Sequence, residues 1–409
     1  MDQVPLTLGV EEEYQIIHPE TRDLHSYVQE LLERSRIVLP EGQLKPEFMQ
    51  SQVEVGSHVC RNIQEVRHEV VRLRRAVCQL AAEDGMCIAA ASTHPFANWV
   101  SQDINAGERY RKLLDQMQGV AQQLLIFGMH VHIGFGEGNR DLMIEIMNQL
   151  RYFLPHILAL STSSPFWQGR PTGLKSYRSV IFEMLPRTGI PQSFRSYSEY
   201  QSFVDLLGRA GSISEQDESR KVDATKIWWD VRPHPQFDTL EVRIADMGTR
   251  VDETVCIVAL VQAVVNMLLR LRLENRSWRH YRRHHITENK WRAMRYGIHG
   301  KLIDFGRAEE VPMDFLALEL LDLIAESAHE LGSTEEINYV RTILREGTSA
   351  DRQLHTYAQA LDVAGAAEDP SEDARRVALH AVVDQLVRET VEGVPDVQLP
   401  DNMVPLTEV

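Results

Sequence analysis

Cysteine is scarce in this 409-residue chain, and what there is shows no pairing pattern. Cys60, Cys78, Cys87 and Cys256 form no CxxC element and no zinc-ligand spacing. They read as small buried hydrophobes in a reduced compartment. Basic charge is also short: 43 Lys and Arg against 59 Asp and Glu leave a net charge of −16. That balance argues against nucleic acid or an anionic membrane as the main partner. The start, MDQVPLTLGVEEEY, lacks the basic-then-apolar pattern of a secretion signal. The most apolar run, Val255 to Leu269, is interrupted by Gln262 and Asn266 and is too short to span a bilayer. It reads as a buried core helix in a soluble, cytoplasmic protein. Phosphate loops are missing as well. There is no GxxxxGK[ST], and Gly134, Gly136 and Gly138 make only GxGxG without the surrounding fingerprint. Any nucleotide must then be held by metal ions and arginines.

What is present is an ordinary globular composition, 43% hydrophobic and 25% charged. Strands are expected over Val10–Ile17, Phe48–Val55 and Met86–Ala91, and a histidine strand follows near His130. Asn62 with Glu65 resembles a helix cap and its box partner. Ile63, Val66, Val70, Leu73, Val77 and Leu80 then repeat at helical spacing. Further helices are expected over Glu108–Leu124 and Arg140–Leu160. The stretch Ser161–Tyr200, rich in Ser, Pro, Gly and aromatics, is the kind of long loop that carries function. From Pro312 to Glu392 the pattern is helical throughout, with Leu316, Leu320, Leu323 and Leu331 as its apolar stripe. The order predicts an α+β catalytic core over residues 1–300. A helical part over 301–392 packs on it, and 393–409 form a flexible tail.

Several strands place acidic, histidine and arginine side chains on one face. Alternation sends every second side chain the same way. Glu11 and Glu13 thus oppose Val10, Tyr14 and Ile16, with Glu12 the exception on the apolar side. His130 and His132 oppose Met129, Val131 and Ile133, while Glu241 and Arg243 oppose Leu240, Val242 and Ile244. Clustered carboxylates suit Mg²⁺ or Mn²⁺, and magnesium is commonly shared with substrate phosphates. Imidazole leans toward zinc or manganese, so His130 does not choose the metal. Glu47 and Glu54 lie seven apart, so both can face one site only through a bulge or if Glu47 sits in the loop after Lys45-Pro46. A carboxylate at Glu241 beside the planar fork of Arg243 suits a metal next to a phosphate. Nine basic residues lie between Arg270 and Arg295, and Arg292 and Arg295 are the candidate nucleotide contacts among them. Asp246 falls at the end of the Glu241 strand and is expected to fix the following turn.

The segments GVEEEYQI, PEFMQSQVEV, GMHVHIGF, SYRSVIFEMLPRTGIP, WWDVRPHPQFDTLEVRIAD, ENKWRAMRYG and GTSADRQL occur in this order. Together they resemble the carboxylate–amine ligase branch of the glutamate–cysteine ligase type 2 family, from about Leu8 to Leu354. The resemblance implies a glutamine-synthetase-like fold, whose antiparallel sheet curves around two or three Mg²⁺ ions and ATP. It implies Glu11, Glu13, Glu47, Glu54, His130 and Glu241 as metal ligands and Arg243 as the phosphate contact. His132 stands where more distant ligases of the fold carry Asn. Tyr177, Arg178 and Arg187 are the implied counterparts of a substrate-carboxylate site.

The expected activity is ATP-dependent joining of a carboxylate, such as the γ-carboxylate of glutamate, to an amine such as that of cysteine. Arg243 and Glu241 would be the catalytic pair, acting on small molecules in a chain that forms a possible homodimer. Two rivals are a metal-dependent amidohydrolase and a catalytically weak ATP-binding protein on the same fold. The first would want more histidines on later strands, whereas His234 and His284-His285 fall in a bend and a basic helix.

Overall fold

The computed structural model describes residues 4–213 and 222–403. Seven short strands make one sheet: β1 (Leu8–Ile17), β2 (Leu44–Pro46), β3 (Gln52–Gly56), β4 (Cys87–Ala89), β5 (Met129–Gly134), β6 (Val231–Pro233) and β7 (Thr239–Val242). Their order is β6-β7-β5-β1-β3-β2, and every pairing is antiparallel. The long β1 serves two neighbours on one edge, β5 along its first half and β4 along its second.

The apolar parity predicted from alternation is the buried one. Val10, Tyr14, Ile16, Val53, Val55, Val131, Ile133, Leu240 and Val242 belong to one core cluster. Helix Ile63–Ala82 covers it, with Asn62 accepting a hydrogen bond from Glu65 N as its cap. Helix Val251–Leu273 lies against the same core and is longer than the apolar run suggested. By length and composition it could cross a bilayer, yet most of it is buried among the other elements. Glu12, the one acid of the apolar parity, is neutralised in place. Its carboxylate takes Arg74 Nη2 at 2.5 Å, Thr254 Oγ1 at 2.8 Å and the Tyr14 hydroxyl at 2.5 Å.

Several boundaries differ from expectation for local reasons. Phe48 lies in the turn between β2 and β3, not in a strand. The helix from Glu108 stops at Met117 because Gln118 adopts φ +49°, and the helix from Arg140 ends at Leu150, before Pro155 opens a second one. The Ser161–Tyr200 stretch contains a short helix, Tyr177–Glu183. A hairpin, Lys301–Asp304 with Glu309–Pro312, precedes the C-terminal helices. In the first of these, Met313–Glu330, Leu321 and Ile324 join Leu316 and Leu320 in the core, whereas Leu323 is exposed. Residues 393–403, the described part of the expected flexible tail, make contacts with the rest of the chain. Arg75 pairs with Asp396, Asn402 donates to Pro19 O, and Met403 is buried. Residues 404–409 lie outside the described ones.

Candidate active site on the polar face of the sheet

Strand register brings the predicted polar residues side by side. Across β1 and β3, Glu13 opposes Glu54; across β1 and β5, Glu11 opposes His130. Glu241 opposes His132 on β5 and Arg232 on β6, and Lys45 opposes Glu54 on β2. Directly opposed side chains have Cβ atoms about 4.5–5.5 Å apart, so these residues form one continuous polar surface. Glu47 joins them from the turn after β2, where its Oε2 accepts Phe48 N at 2.8 Å.

Two groups of ligand-type atoms result, each with its atoms within 4.8 Å of one another: Glu13, Glu47 and Glu54, and Glu11, His132 and Glu241. The expected ligand His130 is not in the second group; its Nδ1 lies 3.0 Å from Glu11 Oε2 and 3.4 Å from Arg243 Nη1. His132 stands in that group instead, because β5 pairs with β7 so that His132 faces Glu241. The His132 Nδ1 lies 3.1 Å from Thr239 Oγ1, while its Nε2 is buried without a hydrogen-bond partner.

The electrostatics divide along the same line. Burial pushes the Glu13 carboxyl well above its ordinary range, and the Glu47 and Glu54 charges push it further. Glu54 rises to about 7 by burial and by Glu11 and Glu47, against the pull of Lys45. Burial likewise raises Glu47. In the other group burial is outweighed. The His130 hydrogen bond and the His132 imidazole, whose Nε2 lies 3.7 Å away, hold Glu11 well below the carboxylate range, and Arg232 and Arg243 do so for Glu241. Burial and Arg243 lower His130 to about 4, so it is neutral at pH 7. His132 is raised: Glu11 and Glu241 outweigh its burial. Three carboxylates driven toward protonation by burial and by neighbouring acidic charge form an all-oxygen set of the type that Mg²⁺ or Mn²⁺ relieves. The free Nε2 of His132 beside Glu11 and Glu241 offers a mixed set for a second ion.

Arginines border both groups. Arg243 pairs with Glu241, which Arg232 also holds at 2.8 Å, while Arg243 Nε has no partner. Arg178, from helix Tyr177–Glu183, is buried and donates to Arg243 O at 3.2 Å, and its Nε is also unpartnered. Both guanidinium groups lie over the Phe182 ring. Arg178 comes this close because Gly128 has no side chain; a Cβ there would stand 2.6 Å from Arg178 Nη2. Asp246 fixes the segment ahead of Arg178, accepting Ser163 N, Ser164 Oγ and Ser176 Oγ at 2.7–3.0 Å.

The other expected contact residues have these partners. Tyr177 packs on Trp167, and Arg187 donates to Lys226 O while covering Trp228. Arg292 is committed to Glu288 and Glu310, and Arg295 to Gly173 O. On the sequence Lys45 and Arg232 carried no role, and His132 shared the polar face of His130 without being assigned as a ligand. The parity of Asp230 and Arg232 against Trp229 and Val231 marks Arg232 as facing away from the apolar side, but no local pattern reveals its partner.

The model of glutamate–cysteine ligase family 2 matches residues 7–381. A protein of Herpetosiphon aurantiacus named "Putative glutamate--cysteine ligase 2" is 51% identical over 391 residues, 96% of this chain and 94% of its own. One of the same name from Sorangium cellulosum is 52% identical over 388 residues, covering 95% and 96%. Among solved structures, the glutamate–cysteine ligase of Francisella tularensis in complex with AMP aligns with TM-score 0.63 at 15% identity, over 98% of this chain and 96% of that one. The bifunctional glutathione synthetase of Pasteurella multocida aligns with TM-score 0.58 at 15% identity, over 94% and 53%. The α+β fold with its antiparallel sheet is thus one that ligases of this kind share, and the chain belongs to glutamate–cysteine ligase family 2.

Proposed function

We propose that this protein is an ATP-dependent carboxylate–amine ligase that forms an amide through an acyl phosphate, with a glutamate-like γ-carboxylate and an amino-acid amine such as cysteine as substrates. The observation that carries this reading is the adjacency of two ligand groups, Glu13/Glu47/Glu54 and Glu11/His132/Glu241, to the partly unpartnered guanidinium groups of Arg243 and Arg178. Divalent cations held by those groups would neutralise the charge of the phosphate oxygens. Family membership and the ligases that share the fold support the same class.

The balanced sequence is two displacements. A carboxylate oxygen attacks the γ-phosphorus of ATP, the bond to the β,γ-bridging oxygen breaks, and ADP leaves. The amine nitrogen then attacks the acyl carbon, the carbon–oxygen bond to the phosphate breaks, and the nitrogen gives up a proton to solvent. Inorganic phosphate departs with one oxygen of the original carboxylate. No side-chain nucleophile is needed, so the chain contributes position and charge. Arg243, restrained by Glu241, would face the transferring phosphoryl group, and Arg178 would hold a substrate carboxylate. Neutral His130 would donate from Nδ1 to Glu11 and keep that carboxylate turned toward the site.

The test is isotopic. With an ¹⁸O-labelled carboxylate substrate and an amine, ADP and ¹⁸O-labelled phosphate should appear together with the amide. Formation of AMP, unlabelled phosphate, or amide hydrolysis without ATP would sink the proposal.

A further inference from the structure

Lys45 is the one residue whose charge touches both ligand groups among the described ion pairs. Its Nζ lies 3.0 Å from Glu54 Oε1 and 3.8 Å from Glu11 Oε1, and these glutamates belong to different groups. The lysine backbone is fixed by the β2–β3 register and by the Tyr110 hydroxyl, which donates to Pro46 O at 2.6 Å. The head is not fixed in the same way. The Lys45 side chain is 45% exposed, against 12% for Glu54 and 24% for Glu11. A four-carbon stem anchored at one end and open to water at the other can deliver its ammonium to the carboxylates or withdraw it to solvent.

We propose that Lys45 is an internal competing cation: it occupies oxygens of Glu54 and Glu11 in the cation-free protein and yields them when a divalent ion arrives. The inference rests on the reading of this face as a cation site. An oxygen engaged by an ammonium is not free to coordinate, so an ion that uses Glu54 Oε1 or Glu11 Oε1 must displace the lysine. Lys45 therefore sets the cation concentration at which the site fills. It also keeps the acidic face partly neutralised until then. Because the pair is half-exposed, the competition is weak, and the expected effect is a few-fold change in affinity.

Calorimetric titration with Mn²⁺, without nucleotide, on the parent protein, Lys45→Gln and Lys45→Arg tests this. Lys45→Gln should bind Mn²⁺ about three- to fivefold more tightly, and Lys45→Arg no more tightly than the parent. In chelator, Lys45→Gln should melt below the parent, and saturating Mn²⁺ should close that gap. Parent-like or weaker Mn²⁺ binding by Lys45→Gln overturns the competition while leaving the cation site standing. Absence of Mn²⁺ binding by the parent overturns both.

Discussion

Glu13 and Glu54 stand directly opposite each other on neighbouring antiparallel strands, an arrangement that like charges disfavour. Glu47 closes the group from the β2–β3 turn. A sheet that places three partly buried carboxylates together is strained electrostatically unless something positive or a proton intervenes.

That strain gives a pH dependence. Glu54 titrates at about 7 in the folded chain, above the usual 4.5 of a glutamate. A folded value raised above the unfolded one means that stability is fully present below about pH 4.5 and is lost as pH rises through about 7. The cation-free protein should therefore lose melting temperature between pH 5 and 8 (other groups held aside), and Glu54→Gln should flatten that loss. Mg²⁺ or Mn²⁺ must displace protons from Glu54 and His132, so uptake should release protons, and affinity should increase with pH across about 7. Calorimetry in buffers of different ionisation enthalpy measures the release; a zero proton count at pH 6.5 would contradict the assignment.

Chelation should abolish nucleotide binding. With no phosphate loop in the chain, ATP affinity is expected to collapse in EDTA and to return with Mg²⁺. Unchanged affinity in a titration with and without EDTA would remove the cations from nucleotide recognition.

Glu241 and Arg243 should separate by phenotype. Glu241→Gln removes the charge that faces His132 and holds Arg232 and Arg243. Its Mg²⁺ half-saturation should rise as turnover falls. It should also melt lower, because two buried arginines lose their counter-charge. Arg243→Lys keeps the charge but loses the planar fork. Turnover should drop roughly tenfold or more, for ~1.4 kcal/mol of lost transition-state stabilisation, with Mg²⁺ half-saturation little changed. ADP release measured against Mg²⁺ on both variants decides the matter; near-normal turnover in both would take β7 out of the site.

Glu12 should behave as a structural acid despite its position between Glu11 and Glu13. Its salt bridge to Arg74 is fully buried. Breaking one partner of a buried pair costs ~3–5 kcal/mol, so Arg74→Met should lower the denaturant midpoint far more than Glu13→Gln does. Equal midpoints for the two variants would refute the distinction.

Alternation alone determined much of the site. A period of two fixes that Glu11 with Glu13, His130 with His132, and Glu241 with Arg243 each share a face, and that Val10, Tyr14, Val131 and Leu240 bury the other. Helical spacing and the Asn62 cap likewise placed Ile63–Ala82. What alternation does not contain is which strand lies beside which, and in what register. Pairing of β5 with both β1 and β7 decided that His132, not His130, groups with Glu11 and Glu241. The turn between β2 and β3 decided that Glu47 reaches Glu13 and Glu54, although their spacing of seven forbids it in one straight strand. Lys45 and Arg232 gained partners only through cross-strand register, and Arg292 and Arg295 turned to Glu288, Glu310 and Gly173 O. Side-chain parity is a local property of the extended backbone, whereas charge partners are set by contacts between segments distant in sequence, which no local pattern encodes.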